Sequence, residues 1–102
     1  MKRRNIMATW SEFNPGAIKS VLDDCTNAAY PDKAKILAYL DSGSVVLAAP
    51  EQAVDVFSGE QLHKSEGVLT DGEFSWSNSL SHYVQKYNLH VPKELEDKIL
   101  SS

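Results

Sequence analysis

Residues 70–87 constrain the fold of this chain more than any other stretch, because a turn, a strand, a cap and a helix follow one another there without local conflict. Asp71-Gly72 is a two-residue hairpin signal of the type I′ kind, which needs positive φ at both central positions, tolerated by Asp and adopted freely by Gly. Glu73, Phe74, Ser75 and Trp76 then alternate polar and apolar, the period of a strand with Phe74 and Trp76 turned to a core. Ser77, Asn78 and Ser79 offer capping oxygens, and Leu80, Tyr83, Val84 and Tyr87 recur at helical spacing, so an amphipathic helix is predicted next.

Upstream, the same reasoning predicts two short helices. Asn14-Pro15 reads as a cap and first helical residue, with Ile18, Val21, Leu22 and Cys25 sharing a face. Tyr30-Pro31-Asp32 opens a second helix with Ile36, Leu37 and Leu40 inward, closed by Asp41-Ser42-Gly43 with Gly43 left-handed. The two are expected to pair as an antiparallel hairpin. The unbroken apolar run 45–49, ended by Pro50, predicts a central strand covered on both faces. Residues 53–57 predict a further strand, 61–66 a loop, and 68–70 the first arm of the Asp71-Gly72 hairpin. Beyond Tyr87, Asn88 ends the helix, Leu89 and Val91 run extended into Pro92, and a last helix carries Leu95 and Ile99 on one side.

Residues 1–13 begin with Lys2, Arg3 and Arg4 and show no sustained period, so they read as a flexible basic arm that docks through Trp10 or Phe13. The expected organisation is that arm followed by one α+β domain over 14–102. It comprises two amino-terminal helices, a small mainly antiparallel sheet with a hairpin at Asp71-Gly72, and two carboxyl-terminal helices.

Composition narrows the function more than it names it. No window approaches the ~20 apolar residues of a membrane helix, and the apolar run 6–10 is too short, and too soon broken by Ser11-Glu12-Phe13-Asn14-Pro15, for a secretory signal. Cys25 stands alone, which excludes an internal disulfide and makes the cytoplasm the expected compartment. The five glycines are scattered, no nucleophile elbow is present, and His63, His82 and His90 lack the spacing of paired ligands, so no cofactor or metal is expected. Three amino-terminal bases without an aromatic or motif context do not make a nucleic-acid site.

Charge supplies the remaining clue. Net charge is −4, but residues 41–73 hold seven acids against the single base Lys64, a local net of −6. Such a surface attracts basic partners. The leading expectation is a non-enzymatic protein-binding module, of immunity or regulatory type, that docks a basic protein through Asp55, Glu60, Glu66, Asp71 and Glu73. The alternative is a small enzyme or ligand-binding domain with a pocket near Trp76 and His82. A third reading pairs two copies through an exposed sheet edge.

The segments 55–60, 69–76 and 89–94, with Leu80, Tyr83-Val84 and Tyr87 between them, resemble a loose group of small bacterial proteins of unassigned role. Some members of that group look like partners or immunity-type proteins of toxin systems. The resemblance covers the carboxyl-terminal half and implies no catalytic residues, since the shared positions are those that shape turns and cores.

Overall fold

The computed structural model describes residues 4–28 and 30–101. Its strands are β1 (Arg4–Asn5), β2 (Ser44–Val54), β3 (Gln61–Thr70) and β4 (Phe74–Ser77). Its α-helices are α1 (Lys33–Asp41), α2 (Leu80–Tyr87) and α3 (Lys93–Ser101), with short 3-10 helices at Ile6–Thr9 and Val21–Asp24. The class is α+β, with one mixed sheet in the order β1-β4-β3-β2. β3 pairs antiparallel with both β2 and β4, while β1 lies parallel to β4.

The core forms where residues 70–87 predict it. Phe74 and Trp76 are buried on β4, and Leu80, Tyr83 and Val84 on α2. Trp76 donates its indole N–H to the Leu40 carbonyl at 3.1 Å, which satisfies a fully enclosed polar atom and locks β4 to α1. Ile36 and Leu40 of α1 and Leu95 and Ile99 of α3 complete the same cluster. Asn88 ends α2 in the left-handed conformation, φ 55°, as the sequence predicts.

The Asp71-Gly72 turn is tighter in chemistry than a type I′ hairpin. Only Gly72 has positive φ, 101°, and residues 71–73 form the loop. Asp71 instead curls its carboxylate back onto the Glu73 and Phe74 amides at 2.9 and 2.8 Å, an Asx arrangement that does the work of a second left-handed residue.

Further expectations are overturned, among them a separate strand over 53–57, since Ala53 and Val54 end β2 and residues 55–58 turn the chain. The arm is built into the fold over residues 4–13, because Ile6 and Trp10 are fully buried and β1 extends the sheet; Trp10 and Phe13 do pack on the core, while Met1, Lys2 and Arg3 lie outside the described residues. The first amino-terminal helix does not form. Asn14 spends its side chain on the Ala8 carbonyl and the Gly16 amide, which makes a turn, and the 3-10 helix starts later under a Ser20–Asp23 capping box. Ile18 is consequently fully exposed and Cys25 only half-buried.

Gly43 is not left-handed; it is needed for space, since a Cβ there would lie 2.9 Å from the Trp76 ring and 3.0 Å from the Leu69 Cβ. Residues 61–66 are strand, not loop, because β3 supplies the partner that β2 requires over its whole length. The apolar run 45–49 is not central: it lies on β2, which pairs on one side only.

Candidate functional site

Two features stand apart from the core: the open edge of β2, and a cleft between α1, β3 and α2. Between them lies a buried polar knot around Asp55.

Asp55 follows the last residue of β2 and starts the turn into β3, with its amide bound to the Glu60 carbonyl at 2.9 Å. Alternation along 53–56 points Val54 and Val56 outward and sends Ala53 and Asp55 in, so the carboxylate is fully enclosed. It accepts hydrogen bonds from the Phe57 and Ser58 amides at 2.8 and 3.0 Å, the Tyr87 hydroxyl at 2.7 Å and His82 Nε2 at 2.8 Å. Burial alone would push its pKa up, but these four donors, His82 foremost, hold it well below the usual carboxylate range. The same contact pushes the Tyr87 phenol, already raised by burial, to about 12. An ionised Asp55 only accepts, so His82 Nε2 donates the hydrogen bond between them. No buried side-chain nitrogen or oxygen lacks a partner among the described residues, and His82 Nδ1 makes no hydrogen bond; that atom is therefore reached by solvent.

Tyr83, one turn before Tyr87, accepts the Val56 amide at 3.0 Å. The tyrosines of α2 thus clamp the β2–β3 turn. Trp76 and Tyr83 are enclosed core residues, not a stacking platform.

Asp55, Glu60 and His82 each bring a ligand atom within 4.8 Å of the others, the makings of a metal site. Lys86 already supplies the cation there, its Nζ 3.2 Å from Glu60 and 3.9 Å from Asp55.

The acidic residues predicted to form one docking face are separated by the fold. Asp55 is internal. Glu60 is neutralised by Lys86. Asp71, largely covered, accepts from the Tyr39 hydroxyl and pairs with Lys98 at 3.0 Å; burial raises its pKa, but the Phe74 amide, Tyr39 and Lys98 among others bring it down to about 2. Glu73 shares Lys98 at 3.0 Å. Of the five, Glu66 alone makes no hydrogen bond or ion pair among the described residues. The side chains of Asp41 and Glu51, absent from the predicted set, also have no partner among the described residues.

Glu51 and Glu66 lie beside the open edge. The β2–β3 register is irregular between Ala48 and Gln52, and Glu66 faces this stretch from β3, between Ser65 and Gly67. Just before it, Val45, Val46 and Leu47 are 67, 47 and 59% exposed, three consecutive aliphatics in water on both faces of the strand. On one face Leu47 and Val54 join Met7, Phe13, Val68 and Glu66 around a groove of about 400 Å³. Sequence reasoning found the run but took it for a buried strand.

The cleft holds about 390 Å³ and is lined by His82, with Asp41 and Leu37 from α1, Leu62 and Lys64 from β3, and Gln85 from α2 among its walls. Trp76, expected beside it, takes no part; it is 1% exposed. No helix is long and apolar enough to cross a membrane among the described residues. No protein-family model, curated protein or solved structure matches the chain.

Proposed function

We propose that this chain is a non-enzymatic protein-binding module, and that it docks an extended, basic and apolar segment of a partner protein along the open edge of β2. The single observation that carries this reading is the row Val45, Val46 and Leu47, exposed on an edge strand of eleven residues. An edge of that length presents unpaired backbone groups and is the usual template for strand addition, and exposed aliphatic rows on such an edge are otherwise an aggregation hazard. Burying each of these side chains in an interface contributes on the order of 1.5–3 kcal/mol. Unpaired Glu51 and Glu66 add steering for a partner that carries Lys or Arg.

The acidic face is therefore narrower than composition implies and lies beside β2 rather than at the turns. Occlusion of a basic partner is the immunity-type form of this reading, in line with the resemblance of the carboxyl-terminal half. The cytoplasm is the compartment proposed, on the lone Cys25 thiol.

Selection from a random peptide display library tests the proposal. Captured sequences should alternate aliphatic residues with at least one Lys or Arg, and capture should be lost in Val46→Lys and weakened by salt. Selection that enriches no such pattern, or capture that survives Val46→Lys and Leu47→Lys together, overturns it.

A further inference from the structure

The cleft between α1, β3 and α2 shares no lining residue with the β2 groove and raises a separate question: of its charged walls Glu60 is held by Lys86, whereas Asp41 and Lys64 line it with no ion pair between them. The side chain of Asp41, the last residue of α1, has no ion pair or hydrogen bond among the described residues. Lys64 of β3 has only neutral partners, the Asn78 carbonyl and Ser81 Oγ, each at 3.3 Å. An ammonium and a carboxylate in one cavity ordinarily find each other; here no ion pair joins the two among the described residues.

The helix ends reinforce the polarity. Asp41 sits at the negative end of α1, whereas Lys64 binds residues at the amino-terminal end of α2, where Ser79 gives no side-chain cap. Between them His82 is fixed at Nε2 by Asp55 and leaves Nδ1 reached by solvent. Leu37 and Leu62 give the walls an apolar part. The volume, about 390 Å³, falls within the ~300–1,000 Å³ range of small-molecule sites.

We infer that this cleft binds a small zwitterion of the α-amino-acid class, its carboxylate on Lys64, its ammonium on Asp41, and an aliphatic side chain against Leu37 and Leu62. A plain anion would leave Asp41 unanswered, and a plain cation would face Lys64. A metal ion is answered by neither, since Lys86 already neutralises the carboxylates nearest His82.

The test is a ¹H–¹⁵N NMR titration of the full chain with L-leucine, with isobutyrate and ethylammonium as the single-charge controls. L-leucine should give saturable shifts at Lys64, His82 and Gln85, with each single-charge control binding about tenfold more weakly or worse. Lys64→Met and Asp41→Asn should each lower the affinity for L-leucine about tenfold, and Lys64→Arg should retain most of it. Should Lys64→Met fail to fold, Asp41→Asn carries the test from an exposed position. Absence of saturable shifts with L-leucine, isobutyrate binding as tightly as L-leucine, or unaltered affinity in Asp41→Asn overturns the inference. Val46→Lys should leave this titration unchanged, which keeps the outcome distinct from that of the β2 edge.

Discussion

Tyr87 donates its hydroxyl to the fully enclosed carboxylate of Asp55 at 2.7 Å, and by this contact the end of α2 is tied to the turn between β2 and β3. The residues are 32 apart in sequence, so the bond fixes tertiary structure rather than a local turn.

Asp55→Ala should therefore be among the most damaging single substitutions in the chain. It strands the Phe57 and Ser58 amides, the Tyr87 hydroxyl and His82 Nε2 together, and loss of one partner from a buried charged network costs about 3–5 kcal/mol. Asp55→Asn should not restore it, because an amide must present two N–H donors where four donors already converge. Tyr87→Phe should cost less, about 1–2 kcal/mol. Urea denaturation of the three variants checks the order.

Acid should weaken the fold through the same carboxylates. Asp55 and Asp71 both have folded pKa values below the unfolded value of about 3.9. Each contributes stability that is present above about pH 4 and lost as pH falls through the folded value, about 2 for Asp71 and lower for Asp55. The urea midpoint should hold steady above about pH 5 and fall steadily from pH 4 downward. Asp71→Asn should flatten part of that slope.

The alkaline side carries the opposite sign. Tyr87 has a folded pKa of about 12, above the unfolded value of about 10, so its contribution is complete below pH 10 and fades as pH rises toward 12. Absorbance titration of the phenolates should show late-titrating tyrosines, Tyr87 and Tyr30 among them, and Asp55→Ala should move one of them to lower pH.

Gly43→Ala should destabilise although the φ of residue 43 is ordinary. The new methyl would sit 2.9 Å from the Trp76 ring and 3.0 Å from Leu69, and overpacking of this kind costs about 1–3 kcal/mol. A lowered Tm with a shifted Trp emission maximum checks it.

Charge reversal separates the edge from the turn. Val45→Lys, at a side chain 67% exposed, should leave stability within about 0.5 kcal/mol of the parent. Asp71→Lys should unfold a substantial fraction of the chain, because it sets a lysine against Lys98 and removes the acceptor for two backbone amides. Parallel melts of both variants distinguish a surface position from a structural one.

What the sequence made legible was what neighbours in sequence decide. α2, its left-handed Asn88 and the Phe74/Trp76 alternation follow from signals within one turn or one strand. Cys25, expected on a buried helix face, is half-buried instead, and burial, with Asp24 and Glu12 nearby, raises its pKa. The run 45–49 was seen but misplaced, since a strand buried by its own fold and one left open at an edge carry the same apolar residues. Asn14-Pro15 has the signature of a helix start, yet Asn14 reaches back to Ala8 and makes a turn instead. The fates of Asp55 and Glu60 could not be read because they depend on His82, Lys86 and Tyr87, all distant in sequence.

The parallel pairing of Arg4 with Phe74 and of Asn5 with Ser75 sets an order on biosynthesis. A nascent chain exposes Ile6 and Trp10 from the moment they leave the ribosome and cannot shelter them until residues 74–75 have also emerged. Until then Ile6 and Trp10 stay open to solvent, so an interruption of synthesis before residue 74 leaves both side chains unsheltered.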